Sequence, residues 1–181
     1  REVSTMNLKL YWENVLEYFE EEEWPLYDVD DNNKVATAYM RGDNLSFRIF
    51  ICLHEETKTF NLSWYYPNNV PPNKRHVVLD LLNRLNHKAI VGKFVMNPED
   101  GNLAYRISLS VKGTRFSMGQ FDSFIGWGIW TADDYYPKFM SLIYGSHTVD
   151  EVLEDKAKPQ LRLVEKAEEQ GELCEEDEAR T

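Results

Sequence analysis

The chain has 181 residues, of which 31 are acidic and 20 are basic, so its formal charge is −11. Aromatic residues make up 13% of the chain, including five Trp, ten Tyr and nine Phe. This content excludes a disordered chain, because disordered sequences lack the large apolar groups that offset the entropy cost of ordering. The charge argues against nucleic-acid binding, since each phosphate contact would work against net repulsion.

The negative charge is concentrated at the carboxyl end. Residues 150–181 contain 12 acidic and 5 basic residues, a net charge of −7, whereas residues 1–149 contain 19 acidic and 15 basic residues, a net charge of −4. We therefore predict one folded domain over residues 1–149, long enough to bury a sizeable core. Residues 150–181 are predicted to form an acidic tail that is partly helical or disordered.

The first predicted element is a helix from Thr5 to Glu22, with apolar residues at helical spacing and Trp24-Pro25 ending it. Four strand-like segments follow. The first two flank the turn cluster Asp30-Asp31-Asn32-Asn33, as in a hairpin, and the last two alternate between apolar and polar side chains, as half-buried strands do. The four segments lie at residues 26–29, 34–41, 45–53 and 60–65. Because these strands follow one another through short turns, we predict an antiparallel meander.

The second half of the domain is predicted to contain two helices and a hairpin. Pro71-Pro72 opens a helix that runs to about His87. A hairpin follows over residues 93–97 and 103–111, with Gly101 supplying positive φ in its turn. The last helix runs from about Met118 to Tyr144, and Pro137 is expected to kink or divide it. The predicted fold is therefore α+β, an antiparallel sheet backed by helices in the order α-β-β-β-β-α-β-β-α.

Four stretches within residues 14–154 resemble the YbjN family. They are EEEEWPLYDV at 20–29, VPPNKRHVVLDLLNRLNHKAIVG at 70–92, the hairpin 93–111 with Phe94, Asp100-Gly101, Tyr105 and Arg106, and YYPKFMSLIYG at 135–145. The version with Asn-Val-Pro-Pro and a long aromatic last helix looks most like cyanobacterial and plastid members. The acidic extension after Glu154 departs from the compact family pattern.

The resemblance implies the fold of type III secretion chaperones and a homodimer. It implies no established enzymatic activity, and the family is often described as sensory transduction regulators. Secretion chaperones of this fold bind extended segments of partner proteins on apolar surfaces, so the resemblance also implies a protein partner. That last step rests on fold analogy.

Asp28-x-Asp30-x-Asn32 has the spacing that begins a calcium-binding loop. Asn33 occupies the position where such a loop has Gly, and Tyr39 occupies that of the bidentate Glu. A hairpin turn is therefore favoured over a calcium site, and no metal site is predicted. The four His residues show no ligand spacing, and we predict no cofactor.

Three further patterns have both a structural and a functional interpretation. The cluster Lys74, Arg75, Arg84 and Lys88 is a solvated helix face or a receptor for an acidic partner, including the tail of this chain. Gly126-Trp127-Gly128 indicates close helix packing rather than phosphate binding. Asp133 and Asp134 are a poor acid–base pair, because adjacent helical residues do not face the same way. We predict no catalytic residues.

The aromatic residues give the most specific functional prediction. Six of them exceed what one small core readily covers: Trp12, Trp64, Tyr65, Tyr66, Trp127 and Trp130. Since Trp and Tyr are enriched in interfaces, we expect one side of the last helix to pack on the sheet and the other on a second subunit or client. The predicted partner-binding residues are Phe121, Phe124, Trp127, Trp130 and Tyr135.

The sequence thus predicts a non-enzymatic protein-binding module, chaperone-like or regulatory. The alternative is a regulator that senses a small ligand or metal ion, through the loop 28–33 or a pocket between the sheet and the last helix. Cys52 and Cys174 suggest no disulfide framework, which favours a reducing compartment. No apolar run reaches the roughly 18 residues of a membrane span. We predict a cytoplasmic protein, or a plastid stromal one if a transit peptide has been removed.

Overall fold

The structure is a computed structural model that describes residues 2–112 and 117–154, with side chains from Leu8 onward. Its helices are α1 (Glu2–Glu21), α2 (Arg75–Lys88), α3 (Met118–Ile143) and α4 (Val149–Glu154), with a 3-10 turn at Pro72–Lys74. Its strands are β1 (Leu26–Asp30), β2 (Val35–Arg41), β3 (Ser46–His54), β4 (Thr59–Tyr65), β5 (Lys93–Met96) and β6 (Leu103–Ser110). The predicted order of elements is confirmed up to α3. Most of the predicted tail, residues 155–181, lies outside the described residues.

The strands form one antiparallel sheet in the order β1-β2-β3-β4-β6-β5. Strand residues of one parity point toward the helices and form the core; Phe60, Leu62 and Trp64 are all fully buried. The ring of Phe121 on α3 lies 6.1 Å from that of Phe60 and 6.3 Å from that of Phe19 on α1. The helices α1 and α3 therefore pack on the same face of the sheet.

Strand residues of the other parity form what we call the open face of the sheet. It carries Tyr27, Tyr39, Arg48, Tyr65 and Arg106, which the strand registers place on one side. Tyr39 is 58% exposed and Tyr27 is 47% exposed, and their rings lie 5.4 Å apart. The open face thus presents aromatic and cationic side chains to solvent.

Pro137 does not divide α3, which is continuous from Met118 to Ile143. A proline lacks the N–H that would bond to the carbonyl four residues earlier, here that of Asp133. In this fold the side-chain amide of Asn44 donates to the Asp133 carbonyl at 3.3 Å. The hydroxyl of Tyr66 donates to the neighbouring Ala132 carbonyl at 2.8 Å. Side chains from the sheet layer therefore satisfy carbonyls at the point where the helix is weakest.

Gly128 allows α3 to approach the sheet closely. A Cβ atom at this position would lie 2.1 Å from Cζ2 of Trp64, whereas one at Gly126 would have no neighbour within 4 Å. The predicted close packing is confirmed for Gly128 alone. In the β5–β6 turn, Gly101 has φ +75°, as the sequence predicted.

Candidate protein-binding surfaces

The five predicted partner-binding residues lie on α3, but they do not all reach its surface. Phe121 is fully buried between α1 and the sheet. Phe124, Trp127 and Tyr135 are half-buried, and Trp130 is 39% exposed. We call the last four residues the helix surface. The prediction is therefore wrong for Phe121, which belongs to the core. The sequence did not reveal this, because a helix that is apolar around most of its circumference does not indicate which side meets the sheet.

The helix surface is held in place by contacts with the core. The rings of Trp127 and Trp130 lie 5.9 Å apart, and that of Tyr135 lies 5.1 Å from Phe94 of β5. Lys138 places its ammonium 4.6 Å from the centre of the Tyr135 ring. Burial raises the pKa of the Tyr135 hydroxyl, so this group remains a neutral donor at physiological pH. The helix surface thus combines aromatic rings with the polar hydroxyl of Tyr135 and the ammonium group of Lys138.

The prediction that the core would not cover all six of the aromatic residues singled out above is wrong for three of them. Trp12 is 2% exposed, Trp64 is fully buried and Tyr66 is 3% exposed. Their polar ends explain part of this burial, since Trp12 donates to Asp31 at 2.8 Å and Tyr66 donates to a helix carbonyl. Only Tyr65, Trp127 and Trp130 of that set remain accessible.

A second surface, which the sequence did not indicate, lies on the open face. Arg48, Tyr65 and Arg106 line a groove of about 540 Å³ bordered by Val95 and Met96 of β5. The guanidinium carbon of Arg48 lies 5.1 Å from the centre of the Tyr65 ring. Nε of Arg106 donates to Ser63 Oγ at 3.1 Å. The groove therefore holds two guanidinium groups beside an aromatic ring.

The charges of these two arginines are not balanced by neighbouring carboxylates. Neither Arg48 nor Arg106 takes part in an ion pair with any residue in 8–112 or 117–154. Asp100 is the one acidic residue that lines the groove, and Lys93 lies opposite Arg106 on β5. The alternation within β3 and β6 places both arginines on the polar side of their strands. It does not reveal that β4 brings the two strands together.

The turn predicted at Asp30–Asn33 is confirmed, since β1 ends at Asp30 and β2 begins at Val35. The Asp30 carboxylate accepts from the backbone N–H groups of Asn32 and Asn33 and from the Asn33 side-chain amide. The Asn33 amide, with these backbone donors, holds the pKa of Asp30 below its usual range. The carboxylate oxygens of Asp30 are therefore used in hydrogen bonds within the turn. In the part of the chain that is described, no three His, Cys, Asp or Glu side chains are grouped as metal ligands.

The basic cluster on α2 is used within the fold. Lys74 donates to the Leu142 carbonyl at 3.0 Å, and Arg75 donates to the carbonyls of Val70 and Pro98. Arg84 forms ion pairs with Asp80 at 3.0 Å and with Asp150 at 2.6 Å. A contact between this cluster and the acidic end of the chain, which was the alternative to a solvated helix face, thus occurs at Asp150 of α4.

Asp133 and Asp134 have separate environments, as expected of adjacent helical residues. Asp133 is 7% exposed, and its carboxylate accepts hydrogen bonds from the turn between β2 and β3. Asp134 faces Lys138 at 4.0 Å. The Asp133 carboxylate therefore has a structural role. Among the described helices, none has the length and hydropathy to cross a bilayer.

The comparisons with known proteins agree with this architecture. The YbjN family model, described as a putative bacterial sensory transduction regulator, matches residues 12–141. Because the match covers more than half of the sequence, the chain belongs to the YbjN family. No curated protein matches the sequence.

Two solved structures are similar to this chain. The structure of YbjN from E. coli, described as a putative transcription regulator, has a TM-score of 0.50 at 14% identity, covering 73% of this chain and 88% of that one. A chain of the ExsC–ExsE complex has a TM-score of 0.49 at 14% identity, covering 66% of this chain and 85% of that one. The likeness to YbjN shows a shared fold, and the predicted α+β fold with an antiparallel sheet is confirmed.

Proposed function

We propose that the protein is a non-enzymatic, chaperone-like or regulatory module that holds a partner polypeptide through the helix surface. The observation that carries this proposal is Trp130, which is 39% exposed on α3 with its ring 5.9 Å from that of Trp127. The apolar surface of a large aromatic side chain is unfavourably exposed to water until a partner covers it. In interfaces such residues combine apolar area with a polar edge, and they often dominate the binding energy.

The family description supports a regulatory role, since the matching model is that of a putative sensory transduction regulator. The proposal includes a homodimer, the state that the family resemblance implies. Light scattering on the purified full chain tests this part, and a mass of 21.3 kDa would show a monomer. Two points stay predictions: the cytoplasmic or plastid stromal location, and the particular resemblance to cyanobacterial and plastid members of the family.

The test of partner binding is affinity purification of the full chain from its native cells, with identification of the recovered proteins. We expect Trp130→Ala to lose a partner that the unchanged chain retains. Leu79→Ala is the matched control, because Leu79 is a 50% exposed apolar residue on a different helix, α2. Circular dichroism establishes that both variants are folded.

Two results would contradict the proposal. One is the recovery of no partner by the unchanged chain. The other is equal recovery by the unchanged chain and a folded Trp130→Ala variant, which would place the contact elsewhere on the molecule. Trp127→Ala is a second probe of the same surface, and its loss of stability must be measured separately because Trp127 is half-buried.

A further inference from the structure

The open face carries positive charge that the described fold does not neutralise. Arg48 and Arg106 line one groove, Lys93 lies opposite Arg106, and the acidic residue at the groove is Asp100. The whole chain nevertheless has a net charge of −11. A ligand for this groove must therefore bring carboxylates or similar anionic groups, and the chain itself contains a concentrated supply of them.

That supply is the segment 165–178, which lies outside the described residues. It contains eight acidic residues and one basic residue, Lys166. A guanidinium group binds a carboxylate through two parallel hydrogen bonds, so two arginines in one groove suit a segment with closely spaced carboxylates. The basic cluster on α2 is a poorer receptor, because Lys74, Arg75 and Arg84 already bind groups of the folded domain.

The chain leaves the described fold in the helix layer, on the other face of the sheet from the groove. Its last described element, α4, packs against α2, where Arg84 binds Asp150 at 2.6 Å. The helix α2 also packs against β5, whose Val95 and Met96 border the groove. The ten residues 155–164 can span about 33 Å when extended. From the helix layer the segment can pass around β5, which is an edge strand of the sheet. Crossing the open face from β5 to β3 then requires three strand spacings, about 14 Å.

We propose that the acidic segment 165–178 binds in the groove of the open face, with its carboxylates on Arg48 and Arg106. This interaction covers the guanidinium groups and is weakened by salt, since Arg48 is exposed to solvent. A partner that used the open face would have to displace the segment first. The proposal does not depend on partner binding by the helix surface, which lies on the opposite side of the sheet.

The native Cys174 provides a direct test, because it lies within the acidic segment. In a full-length Cys52→Ala background it is the one cysteine that remains, and it can carry a nitroxide spin label. We expect the label to broaden the amide NMR signals of Tyr65, Ala104 and Arg106. The broadening should be lost in about 1 M NaCl, where the screening length falls to about 3 Å. A mixture of spin-labelled unenriched chain and unlabelled ¹⁵N chain should show no broadening, which establishes contact within one chain.

The double variant Arg48→Gln/Arg106→Gln should lose the broadening. Lys9→Gln/Lys88→Gln, which removes two positive charges from exposed helix positions, should retain it. If the arginine variant does not fold, Glu175→Gln/Glu176→Gln/Glu178→Gln must show the same loss. The proposal is overturned if the open face shows no broadening, if only α2 is broadened, or if the effect survives removal of the arginines or appears in the mixture.

Discussion

The side-chain amide of Asn44 donates a hydrogen bond of 2.9 Å to the carboxylate of Asp133, which lies 89 residues further along the chain. The same carboxylate accepts from the backbone N–H groups of Asp43 at 3.1 Å, Asn44 at 3.0 Å and Leu45 at 3.2 Å. One buried side chain of α3 thus satisfies three backbone donors in the turn between β2 and β3. This contact holds α3, the longest described helix, against the sheet about one turn before Pro137.

Replacing Asp133 by Asn should destabilise the fold. The amide has one acceptor oxygen and would turn its own N–H groups toward the donors of the turn, so we expect a loss of about 2 to 3 kcal/mol in the free energy of unfolding. Urea denaturation measures this loss. Asp134→Asn is the control, because Asp134 faces Lys138 at the surface and should change the free energy by less than about 1 kcal/mol. Equal effects of the two substitutions would contradict the assigned role.

Gly128 and Gly126 offer a matched pair on one helix. Gly128→Ala would place a methyl group within 2.1 Å of the buried Trp64 indole, so we expect overpacking to cost about 1 to 3 kcal/mol. Gly126→Ala meets no atom within 4 Å and should stabilise α3 by up to about 1 kcal/mol, since Ala has the higher helix propensity. Thermal unfolding should therefore shift in opposite directions. A lower melting temperature for Gly126→Ala would contradict this prediction.

The buried tyrosines should make the fold sensitive to alkaline pH. Burial, with Asp133 nearby, raises the pKa of Tyr66 well above its ordinary value. A folded-state pKa above the unfolded value means that the folded chain keeps a proton that the unfolded chain releases. Stability is therefore full below about pH 10 and falls as the pH rises beyond it. Urea denaturation between neutral and alkaline pH measures this decline.

Tyr66→Phe should reduce the alkaline decline and, at neutral pH, cost about 1 kcal/mol through the lost bond to Ala132. Tyr144→Phe is the control, because Tyr144 is 64% exposed and should leave both quantities unchanged. Some decline should remain in Tyr66→Phe, because burial also raises the pKa of Tyr105. An unchanged pH dependence in Tyr66→Phe would assign the effect to other groups.

The start of α4 should loosen in acid. The Glu151 carboxylate accepts from the backbone N–H of Thr148 at 2.7 Å and from its hydroxyl at 2.9 Å, and the backbone contact holds the pKa of Glu151 below its usual range. Because the folded-state pKa is the lower one, the stabilisation is present at neutral pH and is lost as the pH falls through that value. Amide exchange of Val152 should accelerate in Glu151→Gln at neutral pH. Glu154→Gln, the control, should leave it unchanged.

The elements of the fold could be predicted from the sequence because their signals are local. The alternation within residues 103–111 and the turn at Gly101 indicate the last hairpin without knowledge of its partners. Sheet order and register are not local. Arg48 and Arg106 lie on either side of β4 through pairings between distant parts of the chain, and the partner of Asp133 lies 89 residues away. The sequence therefore predicts the position of Trp130 on α3, but it predicts neither the groove nor the role of Asp133.

Alternate residues along each strand of the sheet have different roles, because one set faces the core and the other set lies on the open face. Ile49, Leu62 and Tyr105 point into the core, so substitutions there disturb packing. Tyr39 and Arg48, on the other parity, are exposed, and changes there leave the core intact. Members of a family built on this plan can therefore diverge in the residues of the open face while keeping the same fold. For protein engineering, this face is a place where a new specificity can be introduced at little expense in stability.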